Sequence, residues 1–245
     1  MIQGQRFRDR IEAGKLLAQR LAAYAHRDDV LVLALPRGGV PVAYTVAHAL
    51  GAELDLLIVR KLGMPFHEEY AIGAIGSGGV RVLQPGVPGL MGVTQEQVDA
   101  ITAREQAEIT RRERLYRDAR PHVHMQGRTV LLVDDGIATG ATMEAAIRVA
   151  RKAGAARVVV AVPVAPPDTI DRLSDQADDM VCLEAPPFFR AVSQWYEHFD
   201  QTSDEEVQDL LAQAWHDQGA GRPDITTQPQ ERTKHGPTTD ERHRT

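Results

Sequence analysis

Cysteine is nearly missing from this 245-residue chain: Cys182 stands alone, so no disulfide framework can brace the fold, which suits the cytosol. It lies in the apolar stretch Met180-Val181-Cys182-Leu183 and reads as a small buried hydrophobe rather than a nucleophile. No apolar run reaches the 18 residues or so that a membrane-spanning helix needs. The charged start MIQGQRFRDR is not followed by an apolar secretory segment, so a cytoplasmic location with no membrane partner is expected. Positive charge is also in deficit. Lys and Arg number 28 against 34 Asp and Glu, a formal net charge of -6, so the chain lacks the overall attraction for nucleic acid that counterion release would use. Nucleic acid is not expected as a partner. There is no Walker loop, Gly76, Gly78 and Gly79 do not complete a dinucleotide fingerprint, and no repeat recurs at solenoid periods.

What is present is an ordinary globular composition, 43% hydrophobic and 25% charged. The length suits one core of roughly 150–200 residues with accessories. Residues 9–25 repeat apolar Ile11, Leu17, Leu21 and Tyr24 at helical spacing, with Asp9 as N-cap. The continuous apolar run 30–35 predicts a strand covered on both faces. After the loop Pro36-Arg37-Gly38-Gly39 comes a helix with Pro41 in its first turn, ending at Leu50 before Gly51. Residues 54–59 predict a second strand ending in Arg60-Lys61, and 70–83 a hairpin around Gly76-Ser77-Gly78-Gly79. Residues 94–118 predict a long, exposed helical insert carrying the four-apart pairs Glu108–Arg112 and Glu113–Arg117. Strands at 130–133, 158–162 and 180–183 alternate with helices at 142–153, before Gly154, and 169–175, with Pro163, Pro166 and Pro167 ending the middle strand. This alternation specifies an α/β fold: a parallel sheet of about five strands with flanking helices. In 184–200 Phe188, Phe189, Trp195, Tyr196 and Phe199 cluster in a chain only 5% aromatic, either as packing or as a hood over a ligand. Residues 217–245 hold just two apolar side chains, Ala220 and Ile225, and predict a disordered tail.

The chemistry concentrates at 130–142, VLLVDDGIATGAT, where a buried strand delivers two carboxylates, Asp134 and Asp135, into a small-residue loop that opens a helix. In open parallel sheets ligands sit beyond the carboxyl ends of the strands. Gly136, Ile137, Ala138, Thr139, Gly140, Ala141 and Thr142 offer tight turning, two hydroxyls and the free N–H groups of a helix start, a cradle for a phosphate monoester. Two acids beside an anion cradle conflict unless a sugar lies between them. A ribose 5-phosphate resolves the conflict, its 2′ and 3′ hydroxyls donating to the carboxylates and its phosphate seated in the turn. The competing readings are a bare turn and a response-regulator receiver, for which too little ordered chain follows the acid pair.

On these residues the chain resembles the type I phosphoribosyltransferases, whose phosphoribosyl pyrophosphate motif is four apolar residues, two acids, small aliphatics and Thr-Gly-x-Thr. Gly136 departs from the aliphatic or Ser usual there. The resemblance covers roughly 30–183 and implies that residues 1–216 form one phosphoribosyltransferase-like domain. It also implies that Arg37, Gly38 and Gly39 hold pyrophosphate with help from Lys61, itself equally readable as a surface lysine, and that Mg²⁺ is present, held mainly by substrate oxygens and bridged by water to Asp134 and Asp135. The implied reaction displaces pyrophosphate from carbon 1 with a nitrogen acceptor such as a nucleobase, with Arg37, Lys61, Asp134 and Asp135 as the catalytic set. The hairpin 70–83 or the loop 62–69 would close over the site. Ala138 stands where members acting on 6-oxopurines carry Asp, which disfavours that branch. The acceptor stays open, and a homodimer is the family's expectation. A non-catalytic sensor of phosphoribosyl pyrophosphate and a hydrolase of it are the alternatives. His122 and His124, with no third ligand beside them, read as exposed loop residues rather than metal ligands.

Overall fold

In the computed structural model, residues 6–89, 92–117 and 120–220 are described. Five parallel strands form the central sheet: β1 Val30–Ala34, β2 Glu53–Leu56, β6 Thr129–Val133, β7 Arg157–Val164 and β8 Asp179–Glu184, in spatial order β2-β1-β6-β7-β8. Their apolar runs are continuous because both faces are covered. In β1, Val32 and Ala34 turn to the face packed by helices α1 (Arg10–Arg20) and α2 (Gly39–Leu50), while Leu31 and Leu33 turn to the face packed by α4 (Ala141–Lys152). Leu17 and Leu21 on the first face are wholly buried, each stabilising by about 2 kcal/mol on transfer from water. Asp9 caps α1 by accepting the Glu12 amide at 2.8 Å, and Gly51 ends α2 with φ 61°, as the sequence predicts. Ile11, placed on the apolar face by its spacing, is exposed.

The run 54–59 is where the sequence reading fails. It divides between two sheets: Leu57 N–H still donates to Ala34 in the parallel sheet, but Ile58 N–H donates to Ser77 Oγ, and the chain turns away. Arg60 and Lys61 therefore do not end β2. They lie in β3 (Val59–Met64), which joins β4 (His67–Gly76) and β5 (Val80–Leu83) in a three-stranded antiparallel sheet. Most of the expected loop 62–69 is thus strand, with the turn at Pro65 and Phe66. The glycine-rich turn between β4 and β5 is as expected, Gly78 and Gly79 both at φ above 70°.

Helix α3 (Gln95–Arg117) is less exposed than its charge suggests, burying Val98, Ile101, Glu105, Ile109 and Tyr116 along one stripe. Glu108 and Arg112 pair at 2.7 Å, but Arg117 bypasses Glu113 for Asp55 at 2.6 Å, both fully buried. Strand β7 runs through Pro163 to Val164: burial of Val162 and Val164 outweighs one missing N–H. Helix α5 (Pro167–Ser174) follows, and α6 (Asp204–Ala220), not foreseen, occupies the start of the expected tail; residues 221–245 lie outside the described residues. The aromatic segment is largely packing. Trp195 and Tyr196 are buried with Phe7, whose amide donates to Trp195 at 2.8 Å, so the segment after β8 is stitched to the start of the chain. Phe188 is 91% exposed. Cys182 is half-buried, its thiol directed at the Glu184 carbonyl and its pKa pushed by burial up to about 11, which makes it a poor nucleophile. His122 and His124 are exposed. Among the described residues no helix is long and apolar enough to cross a membrane.

Candidate active site

Strand β6 carries Asp134 and Asp135 out of the core at its carboxyl end, beside the carboxyl end of β1. The two acids meet different fates. Asp134 keeps part of its surface open and folds back so that its Oδ1 accepts the Asp135 amide at 2.8 Å. Asp135 is buried, its Oδ2 held by Arg10 Nε at 2.8 Å, and its backbone carbonyl accepts from the Tyr196 hydroxyl at 2.6 Å. Arg10 is itself fixed. Its guanidinium lies 4.0 Å from the centre of the Phe199 ring and donates to the Asp200 carbonyl at 2.7 Å. Burial and then the neighbouring Asp135 charge raise the Asp134 carboxyl well above the usual carboxylate range. Burial raises Asp135 too, although Arg10 works against it.

Past Ile137 the turn has the carbonyls of residues 138–140 occupied and the amides of 138–142 free. Ile137 N–H donates to Val164, and the Ile137 side chain is buried in the core, so only its backbone belongs to the site. Thr169 on α5 donates to the Ala138 carbonyl at 3.1 Å, Arg172 donates to the Thr139 carbonyl, and Glu144 N–H takes the Gly140 carbonyl at 2.8 Å. The amides of residues 138–142 have no partner among the described residues, and the side chains of Ala138, Thr139 and Thr142 are exposed. Gly140 is required twice over. Its φ is 78°, and a Cβ there would lie 2.8 Å from Thr169 Cγ2 and 2.9 Å from an Arg172 nitrogen.

The loop after β1 leans directly on the acid pair. A Cβ on Gly38 would come within 2.1 Å of Asp135 Oδ2, and one on Gly39 within 2.8 Å of the Val133 carbonyl and 3.1 Å of Asp134 Oδ1. Both positions admit only glycine. The Pro36–Arg37 peptide is cis. Gly39 N–H is committed to the Leu35 carbonyl, leaving the Arg37 and Gly38 amides without a protein partner among the described residues. Arg37 is half-exposed and lies 3.6 Å from Asp204 at the start of α6, which also accepts from Tyr116 at 2.6 Å. Lys61 is exposed on β3 and lines, with Thr142, Arg60, Glu105 and Arg104, a cavity of about 300 Å³. Arg37, Gly38, Gly39 and the 134–142 turn therefore meet at the carboxyl ends of β1 and β6, and Lys61 shares a cavity with Thr142 at their flank.

Sequence reasoning misses Arg10, Tyr196, Thr169, Arg172 and Asp204. Only Asp204 has a local signal: Ser203-Asp204-Glu205-Glu206 is a helix-start pattern, and Ser203 Oγ does accept the Glu206 amide at 3.1 Å.

The phosphoribosyl transferase domain family matches residues 8–199. A Mycobacterium tuberculosis protein of strain H37Rv, provisionally named a phosphoribosyl transferase, is 49% identical over 211 residues, which are 86% of this chain and 47% of that protein; its counterpart in strain CDC 1551 matches equally. The chain thus spans about half the length of the curated relatives it matches. The crystal structure of TT1426 from Thermus thermophilus superposes with a TM-score of 0.78 at 46% identity, covering 85% of this chain and 99% of that one. With a strand-borne acid pair, a free-amide turn and two loop glycines fitted against the acids, the chain belongs to the phosphoribosyl transferase domain family.

Proposed function

We propose that this chain binds phosphoribosyl pyrophosphate with Mg²⁺ and transfers its phosphoribosyl group to a nitrogen acceptor. The observation that carries the reading is the run of unpartnered amides at 138–142 shortly after Asp134, a residue that keeps part of its surface exposed. Amides at a helix start suit the 5′-phosphate, and a carboxylate one step before them suits a ribose hydroxyl. Displaced pyrophosphate is received by the Arg37 and Gly38 amides, the Arg37 side chain and Lys61. Asp134 orients the ribose and favours the positive charge that develops on its ring. Asp135, buried and held by Arg10, steadies the pair by donating its amide to Asp134 Oδ1.

The donor set fits Mg²⁺ on family terms. The described residues contain no cluster of three metal-ligating side chains, and the two carboxylates suit an ion that keeps its waters and takes most of its oxygens from substrate. When bound, Mg²⁺ neutralises charge on the leaving pyrophosphate. Membership of the family bears on the substrate class, not on the acceptor.

The test is pyrophosphate release from phosphoribosyl pyrophosphate and Mg²⁺, measured with purified protein against a panel of nucleobases and without one. Release dependent on one acceptor supports the transferase. Release without any acceptor would make the protein a hydrolase, and tight binding without release a sensor. No binding at all overturns the reading.

A further inference from the structure

We propose that helix α5, through Thr169 and Arg172, is the device that turns the phosphate-binding amides toward the ligand. The inference rests on the reading of 136–142 as a 5′-phosphate turn and assigns the turn's geometry to two residues outside it.

In a trans peptide the C=O and N–H vectors are antiparallel, so anchoring a carbonyl on one side of a loop sends the next residue's N–H to the other. The Ala138 carbonyl is anchored by the Thr169 hydroxyl at 3.1 Å, and the Thr139 carbonyl by the Arg172 guanidinium. The peptide N–H groups that oppose them belong to Thr139 and Gly140, both without a partner among the described residues. A short loop of small residues would otherwise sample peptide flips, because Gly140 at φ 78° has little steric reason to hold one orientation. The two bonds from α5 remove that freedom before ligand arrives, so less ordering is left for binding.

The fit of α5 to the turn is close. Thr169 Cγ2 and an Arg172 nitrogen both lie within 3 Å of where a Gly140 Cβ would be, so the glycine admits the helix. Thr169 is buried and Leu173, one turn on, is in the core, which fixes α5 against the sheet. Arg172 is exposed, and its stem reaches over the turn from outside. Thr169 and Arg172 are positioning residues: they grip the carbonyl side and leave the amide side to the phosphate.

Calorimetric titration of the full chain with ribose 5-phosphate, and separately with Mg²⁺-pyrophosphate, tests this in the wild type and in Thr169→Val, Thr169→Ser, Arg172→Ala and Arg172→Lys. Thr169→Val keeps shape and charge and loses only the donor, so it separates positioning from simple attraction of an anion by Arg172. We expect Thr169→Val and Arg172→Ala each to weaken ribose 5-phosphate about five- to tenfold, with Thr169→Ser and Arg172→Lys recovering most of the loss. Pyrophosphate affinity should stay within about twofold, and the melting transition should remain cooperative. Unchanged ribose 5-phosphate affinity in Thr169→Val would overturn the proposal, as would an equal loss for both ligands, which would mark a general disturbance. Failure of the wild type itself to bind ribose 5-phosphate would sink the underlying reading along with it.

Discussion

The two flanks of the acid pair are built on opposite principles. On the Asp135 side, the beginning of the chain and the segment after β8 meet in a packed wall: Arg10 holds the carboxylate, Phe199 lies over the Arg10 guanidinium, Tyr196 bonds the Asp135 backbone carbonyl, and Phe7 pairs with the strand-like backbone at Tyr196. On the other side, β3, β4 and α3 present Lys61, Arg60, Glu68, Arg104 and Glu105 around an open polar cavity. The packed wall fixes atoms at the cost of desolvating an ion pair; the open wall pairs Arg60 and Arg104 with the buried Glu105 and leaves Lys61 exposed to screening solvent. On the proposed reading, a site that holds a phosphorylated ribose and releases pyrophosphate benefits from both, one flank to orient and the other to attract.

Removing one member of the packed wall should therefore have the largest effect. Arg10→Ala leaves Asp135 buried without its cation and is expected to cost about 3 kcal/mol of stability, read by urea unfolding, since breaking a buried pair strands a charge. A loss under about 1 kcal/mol would show the wall to be wetter than its burial indicates. Tyr196→Phe removes a buried hydroxyl and leaves the Asp135 carbonyl without that donor, an expected loss of about 1.5 kcal/mol with ribose 5-phosphate affinity falling in parallel. The Tyr196 phenol is itself pushed upward by burial, so it remains a donor across the whole working pH range.

Asp134 should respond with the opposite sign. Its carboxyl is raised in the folded state, so the protonated form favours folding: that contribution is complete below the ordinary carboxylate range and is lost as pH rises through the raised value. Asp134→Asn, an isostere of the protonated acid, should thus stabilise the fold at neutral pH by on the order of 1 kcal/mol, while ribose 5-phosphate binding weakens about tenfold or more. The gain in melting temperature should shrink on acidification as the wild-type carboxyl takes up its proton. A gain that is independent of pH would contradict the assigned cause.

Legibility in the sequence follows the range of the interactions. The parallel strands are readable because burial on both faces writes itself as Val and Leu runs, and the turn 136–142 because its residue types are all local. Arg10 and Tyr196 reach the same acid from 125 and 61 residues away, and no local pattern marks them. The division of 54–59 between two sheets is equally hidden: an apolar run looks the same whichever sheet it joins, and only the bond from Ile58 to Ser77 reveals the change of direction. Helix α6 differs, since Ser203 through Glu206 and the spacing of Val207, Leu211 and Ala214 carry a readable start and apolar stripe.

The open wall supplies the small effects. Lys61→Ala should weaken Mg²⁺-pyrophosphate about fivefold at low ionic strength and less as salt is added, because an exposed ammonium acts through a screened field. Stability should not change, and a salt-independent loss would mean that Lys61 makes a desolvated contact instead.

Smallest of all is the tip of the β3–β4 turn, where Phe66 is 95% exposed with φ at 64°. A bulky side chain in the left-handed region costs roughly 1–2 kcal/mol, and this one recovers almost nothing through burial. Phe66→Gly relieves that strain but adds conformational freedom to the unfolded chain, which offsets about 1 kcal/mol of the gain. The net expectation is a stabilisation of about 0.5 kcal/mol by urea unfolding, with ribose 5-phosphate binding unaltered because the turn 136–142 and the packed wall lie away from the tip. A clear destabilisation would show that the exposed ring is held by contacts the open wall makes in solution, and the contrast between a fixed flank and a loose one would have to be redrawn.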